Sequence, residues 1–124
     1  MTSYELEERV TEALGLVVVE ISGELDLTNA ADLERRLQAL TEGGDIGLVL
    51  DLNRVLFIDS AALHVLFRTA RRLGKERLGL VLEPGGAIAR TFAIVGISQV
   101  ATVAASHDEL LPPLASPDQR SVDV

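Results

Sequence analysis

The feature that most constrains this fold is an apolar run of strand length at residues 46–52, Ile46-Gly47-Leu48-Val49-Leu50-Asp51-Leu52. Asp51 is the only charged residue in the run, so polar and apolar residues do not alternate as they do in a strand with one face in water. It therefore suits a central strand that is buried on both faces of a sheet. Because the segments before and after it carry helical spacing, the run predicts a sheet with helices packed against it.

Strands and helices are expected to alternate along the chain. Two strands come first, over Tyr4–Val10 and Leu16–Ile21, because alternating and β-branched residues dominate there. The other expected elements are strands at 46–52, 77–82 and 100–103, and helices at 30–40, 60–73, 87–95 and from Ser106, which has a capping-box partner in Glu109. This alternation predicts one α/β domain over residues 1–115, with a mixed, mostly parallel sheet and about four helices, and a disordered tail over 116–124.

Charge and composition limit the classes of partner. The chain has 11 basic and 19 acidic side chains, and the resulting net charge of −8 disfavours nucleic acid as the main partner. It has no cysteine, which excludes disulfides and thiolate metal sites, and no apolar run of membrane-spanning length. Its polar, acidic N-terminus lacks the pattern of a secretion signal. We therefore expect a cytoplasmic protein that binds other proteins, without a membrane partner, a metal or a cofactor.

The polar pair Asp59-Ser60 marks the candidate functional site. It stands where the apolar segment 55–58 gives way to the start of a helix. The first N–H groups of a helix have no partners and carry partial positive charge. The Ser60 hydroxyl is therefore expected to cap the helix, and a phosphate at this position would be well accommodated. Glu24 and Asp26 lie at the end of an earlier strand, and whether they approach Ser60 depends on the strand order.

The helix after Ser60 has two different faces. The residues on its apolar face are Leu63, Leu66, Ala70 and Leu73, and those on its polar face are Ser60, His64, Arg68 and Arg71. The polar face is either a solvated surface or a partner-binding surface. A serine hydrolase is the alternative from another class, but the chain lacks the Gly-x-Ser-x-Gly elbow. The aromatic residues Phe57 and Phe92 are expected in the core.

Four short motifs resemble those of the STAS-domain anti-sigma-factor antagonists of bacteria. They are Gly23-Glu24-Leu25-Asp26, Val49-Leu50-Asp51-Leu52, Phe57-Ile58-Asp59-Ser60, and Ala89-Arg90-Thr91-Phe92 followed by Val95-Gly96-Ile97. The likeness extends from about Leu16 to Leu114. It rests on the order and spacing of the motifs rather than on any one of them.

The resemblance implies a regulatory binding protein and not an enzyme. In that family, the serine after the aspartate is phosphorylated by an ATP-dependent anti-sigma-factor kinase, and the unphosphorylated form binds this kinase and frees a sigma factor. A PP2C-type phosphatase restores the binding form, and the antagonist is a monomer or weak dimer without a cofactor. Carried onto this chain, Ser60 is the phosphorylation site. The expected partner-binding residues are Asp26, Glu24, Asp59, Ser60, Ala61, His64 and Arg68.

The chain departs from the family pattern directly after Ser60. Ala61 and Ala62 stand where the family usually has a second Ser or Thr and then Gly. Alanine favours the helix over glycine by up to about 1 kcal/mol, and its methyl group occupies space that a kinase backbone would approach. The alternative function is therefore a STAS interaction module of another assembly, such as a stress-signalling complex or a lipid-transport system, without regulated phosphorylation.

Overall fold

A computed structural model of the protein describes residues 3–11, 16–42 and 46–106. Within these ranges there are five strands and three α-helices. In chain order they are β1 (Tyr4–Thr11), β2 (Leu16–Leu25), α1 (Ala30–Leu40), β3 (Gly47–Ile58), α2 (Ser60–Leu73), β4 (Leu78–Val81), α3 (Ala87–Val95) and β5 (Thr102–Ala104). The expected helix after Ser106 and the tail over 116–124 lie outside the described residues. None of the described helices has the length and hydropathy needed to cross a membrane.

The strands form one sheet in the order β1-β2-β3-β4-β5. β1 pairs with β2 in the antiparallel sense, and the other three neighbouring pairs are parallel. This confirms the predicted α/β fold with a mixed, mostly parallel sheet. Because β2 and β3 are parallel neighbours, the segments that follow them leave the sheet at the same edge. The strand order therefore brings the segment with Glu24 and Asp26 close to Ser60, which the sequence alone could not establish.

The centre of β3 is buried on both faces of the sheet, as the apolar run predicts. Leu48 and Leu50 face the helices and join the main core with side chains of α1 and α2. Val49, which points the other way, belongs to a second buried cluster with Leu16 and Val81. Phe92 of α3 is also buried, as expected.

β3 continues beyond the apolar run and ends at Ile58 rather than Leu52. After Asp51 it no longer pairs with β4 and follows β2 alone. Its pairing with β2 shifts twice, and the second shift leaves Leu56 as an extra residue between Val55 and Phe57, which is a β-bulge. Phe57 is 49% exposed on this extension. The prediction that Phe57 belongs to the core is therefore wrong, because β4 ends before it can cover that part of β3.

Candidate functional site

The loop after β2 and the turn after β3 meet at the sheet edge and are joined by hydrogen bonds. The Asp59 amide donates to the Leu25 carbonyl at 3.1 Å. In the opposite direction, the Leu27 amide donates to Oδ2 of Asp59 at 2.9 Å. The structure thus places the Asp26 loop beside the Asp59-Ser60 turn, two motifs that are about thirty positions apart in the sequence.

Asp59, and not Ser60, caps helix α2. Its backbone is extended, with φ −106° and ψ −177°, and its Oδ1 accepts a hydrogen bond from the Ala62 amide at 3.1 Å. Its carbonyl accepts the first helical bond from the Leu63 amide at 2.9 Å. The predicted capping role of Ser60 is therefore wrong, because Ser60 is the first residue inside the helix. The Asp59 carboxylate fixes the helix start with one oxygen and the neighbouring loop with the other.

The loop over residues 26–29 is held by its own side chains. Oδ1 of Asp26 accepts hydrogen bonds from the amide and the hydroxyl of Thr28, at 2.9 and 2.5 Å. Asn29 is the N-cap residue of α1, but its side chain bonds no helix amide. Instead its Oδ1 accepts from the Asp26 amide at 3.0 Å, and its Nδ2 donates to the Glu24 carbonyl at 2.9 Å. These bonds define the backbone of the loop before any partner binds.

Gly23 allows β1 to lie close to this loop. Its φ of 101° is in the left-handed region, and a Cβ there would collide with the Ser3 carbonyl oxygen and stand 2.9 Å from Tyr4 Cα. The next amide, of Glu24, donates to the same Ser3 carbonyl at 2.9 Å. The glycine of the Gly-Glu-Leu-Asp motif thus has a structural role, since no other residue fits the space and the conformation.

Ser60 presents an unengaged hydroxyl at the surface. Its side chain is exposed, and no hydrogen bond joins it to another residue in the described part of the chain. Its own amide and that of Ala61 lie in the first turn, where no preceding helix carbonyl is available. Ala61 is half-buried, whereas Ala62 is fully buried in the core. The expected steric effect of the Ala62 methyl group on a partner is therefore wrong, because that methyl points inward.

The two faces of α2 are arranged as predicted. On the apolar face Leu63, Leu66 and Ala70 are buried and Leu73 is half-buried against the core. The side chains on the polar face are exposed: Ser60, His64, Arg68 and Arg71. The Asp59 carboxylate bonds backbone amides, and no hydrogen bond joins it to His64 among the described residues. Asp59 therefore does not orient His64 in the way that the acid of a hydrolase triad does.

Arg68 connects α2 to α1 through a bidentate ion pair with Glu34. Its Nε lies 2.7 Å from Oε2 and its Nη2 lies 3.2 Å from Oε1 of the Glu34 carboxylate. The hydrogen bonds that the Arg68 guanidinium donates to this carboxylate raise the pKa of Arg68. Within the protein this ion pair joins the two helices, and the partner-binding role of Arg68 stays a prediction.

Two exposed leucines were missed by the sequence reasoning. Leu27 is 77% exposed in the 26–29 loop, and Leu56 is 79% exposed at the bulge in β3. Leu27 could have been noticed as an apolar residue among polar loop residues. Leu56 could not, because it lies in an apolar stretch and only the register shift turns it outward.

The described residues contain no group of three or more histidine, aspartate or glutamate side chains placed to hold a metal ion. The acidic residues Glu24, near the end of β2, and Asp26, directly after that strand, are both half-buried. The site is an exposed surface formed by a fixed turn, an unengaged hydroxyl and neighbouring apolar side chains.

The fold and this surface define a small α/β interaction domain. The family model for the STAS domain matches residues 7–110, so the chain belongs to the STAS-domain family, as its motifs indicated. The chain is 29% identical over 102 residues to the anti-sigma-F factor antagonist RsfB of Mycobacterium tuberculosis, covering 82% of this chain and 84% of that protein.

Solved structures agree with this assignment. The crystal structure of an anti-sigma factor antagonist from Mycobacterium paratuberculosis superposes with a TM-score of 0.77 at 31% identity, over 88% of this chain and 92% of that one. The unphosphorylated form of the anti-sigma factor antagonist SpoIIAA gives a TM-score of 0.61 at 20% identity, over 86% and 92% of the two chains. The SpoIIAA comparison shows a shared fold alone.

Proposed function

We propose that this protein is an anti-sigma-factor antagonist that binds an anti-sigma-factor kinase, releases a sigma factor, and is switched off by phosphorylation of Ser60. Membership of the STAS family and the names of the relatives support the first part. The observation that carries the second part is the Ser60 hydroxyl, exposed and without a hydrogen bond to the described residues, on a turn that Asp59 fixes.

The division of labour between Asp59 and Ser60 supports a switch that leaves the fold intact. Asp59 supplies the cap, so adding a phosphate to Ser60 removes no hydrogen bond on which the helix start depends. The phosphate would add a charge of about −1.5 to −2 in a position where the helix dipole favours anions. A partner surface that had buried a neutral hydroxyl would instead face an unpaired charge, which is costly to desolvate. Phosphorylation therefore weakens the complex more than it weakens the protein.

The predicted partner-binding residues have two roles in this proposal. Ser60, Ala61 and His64 lie at the start of α2 and contact the partner directly. The remaining four position that surface from within the protein or at its edge: Glu24, Asp26, Asp59 and Arg68. The protein acts by binding in the cytoplasm, the ATP belongs to the kinase, and a PP2C-type phosphatase regenerates the active form.

The experiment mixes the purified protein with each anti-sigma-factor kinase encoded in the same genome, with and without ATP, and follows complex formation and intact mass. Ser60→Ala is the matched control. We expect binding without ATP, and with ATP the gain of one phosphoryl group, absent from Ser60→Ala, together with loss of the complex. Binding without any mass gain contradicts the switch and indicates a constitutive antagonist. Failure to bind any of the kinases favours the alternative, an interaction module of another assembly.

A further inference from the structure

We propose that Leu27 and Leu56 are the apolar anchors of the partner-binding surface and insert into apolar pockets, rimmed by basic side chains, on the anti-sigma-factor kinase. This inference rests on the proposed function and specifies the chemistry of its interface. Leu27 lies in the loop after β2, where its amide bonds the Asp59 carboxylate, and Leu56 lies three residues before Asp59 near the end of β3.

Leu27 is exposed but its backbone is fixed. Single exposed leucines are common on protein surfaces, so the exposure of 77% carries no argument by itself. The amide of Leu27, however, donates to the Asp59 carboxylate that also caps α2. The neighbouring Asp26–Thr28 hydrogen bonds fix the rest of the loop. An apolar side chain on a backbone that is already ordered loses little further freedom on binding, which favours its use as an anchor.

Leu56 is turned outward by the β-bulge. It is the extra residue in the β2–β3 pairing, and β-bulges redirect side chains in this way. Beyond Asp51, β3 has no β4 partner, and the resulting gap between β3 and the start of α3 is a shallow groove of about 230 Å³. Leu56 lines this groove with Ala87 and Ile88, and the adjacent Phe57 is half-exposed. The apolar surface thus extends from the turn toward α3.

Acidic side chains border this apolar surface and indicate the charge of its partner. Glu24 and Asp26 flank Leu25, the last residue of β2, Glu83 lines the groove with Leu56, and the whole chain carries a net charge of −8. A partner with apolar pockets and a basic rim is complementary to this pattern, which has the anatomy of a protein interface with an apolar centre and a polar border. A second copy of this chain is disfavoured as the occupant, because two acidic borders would then face each other.

The test measures the affinity of the purified kinase for three single variants by calorimetry without ATP, so that Ser60 stays unmodified. Leu27→Ser and Leu56→Ser are each expected to raise Kd by about tenfold to a hundredfold, because a buried leucine contact is lost. Ile94→Ser is the matched control. Ile94 is 84% exposed near the end of α3 and does not line the groove, so its Kd should change by less than about twofold. Thermal unfolding verifies that all three variants keep the fold.

The outcomes separate this inference from the proposed function. If the wild-type protein binds the kinase and the two leucine variants bind equally well, the inference is wrong and the proposed function stands. If the wild-type protein binds no kinase, both are wrong. Sedimentation of the wild-type protein gives a third outcome. If it shows a dimer, and Leu27→Ser or Leu56→Ser is a monomer, the leucines form a contact between copies of this chain and the inference is wrong.

Discussion

The start of α2 and the start of α3 differ in how the chain holds them. At α2, the Asp59 side chain bonds both the helix and the neighbouring loop, and six residues of the helix are buried: Ala62, Leu63, Val65, Leu66, Thr69 and Ala70. At α3, the N-cap is Gly86, no side chain caps the helix, and Phe92 is its buried residue. Side-chain hydrogen bonds thus fix the start of α2, beside Ser60, and not the start of α3, which suits the proposed modification of Ser60.

Two glycines with positive φ give the strongest test of this contrast. Gly23→Ala, beside the α2 turn, is expected to lower the free energy of unfolding by about 3 kcal/mol, because its φ of 101° is strained and its Cβ meets the β1 backbone. Gly85→Ala, before α3, has a φ of 89° but nothing within 4 Å of the Cβ, so we expect a loss of about 1 kcal/mol. Urea denaturation measures both. Equal losses would show that β1 does not crowd Gly23.

The cap of α2 is the next largest effect. Asp59→Ala removes the acceptor for the Ala62 amide and the one for the Leu27 amide, and should cost about 2 kcal/mol. Asp59→Asn is its control, because one amide oxygen can still cap the helix while the NH₂ group opposes the Leu27 amide. A loss of about 1 kcal/mol is expected there. If both variants were as stable as the wild type in urea denaturation, the double role of Asp59 would be refuted.

The start of α3 should respond in the opposite direction and by less. Gly86→Ser introduces a hydroxyl at an N-cap that has no side-chain hydrogen bond, and its backbone, with φ −79° and ψ 172°, is already extended. Serine exceeds glycine as a cap by a few tenths of a kcal/mol, so a gain of about 0.3 kcal/mol is expected. The thermal midpoint is the measurement, and a decrease would indicate that the serine side chain is sterically excluded there.

Ser60→Ala should change stability much less than Asp59→Ala. Its hydroxyl bonds no other described residue, and we expect the free energy of unfolding to stay within about 0.5 kcal/mol of the wild type. Thermal unfolding of Ser60→Ala and Asp59→Ala under the same conditions compares the contributions of these two neighbouring residues. If Ser60→Ala lowered the free energy of unfolding as much as Asp59→Ala does, Ser60 would contribute to the helix start. That result would contradict the assignment of the cap to Asp59 alone.

The parts of the fold that follow from local pattern were predicted from the sequence. The run over 46–52 identified the buried centre of β3, and the spacing of Leu63, Leu66 and Ala70 identified the inner face of α2. The cap was misplaced by one residue, because aspartate and serine are equally good caps and only the backbone geometry distinguishes them.

Features that depend on long-range pairing could not be predicted in this way. The bulge at Leu56 arises from the register between β2 and β3, and the segment 55–58 by itself is typical of a buried strand. The hydrogen bond between Leu27 and Asp59 likewise requires the strand order, which places the ends of β2 and β3 side by side. The candidate serine was therefore found from the sequence, whereas the residues that surround and support it were found from the structure.

The central claim is that phosphate on Ser60 breaks binding and leaves the fold intact. The most direct measurement uses a protein into which phosphoserine is incorporated at position 60 during synthesis. Its affinity for the anti-sigma-factor kinase and its thermal midpoint are compared with those of the unmodified protein. We expect Kd to rise by at least about a hundredfold while the midpoint stays within about 2 °C. An unchanged Kd, or a loss of affinity accompanied by unfolding of the protein, would contradict it.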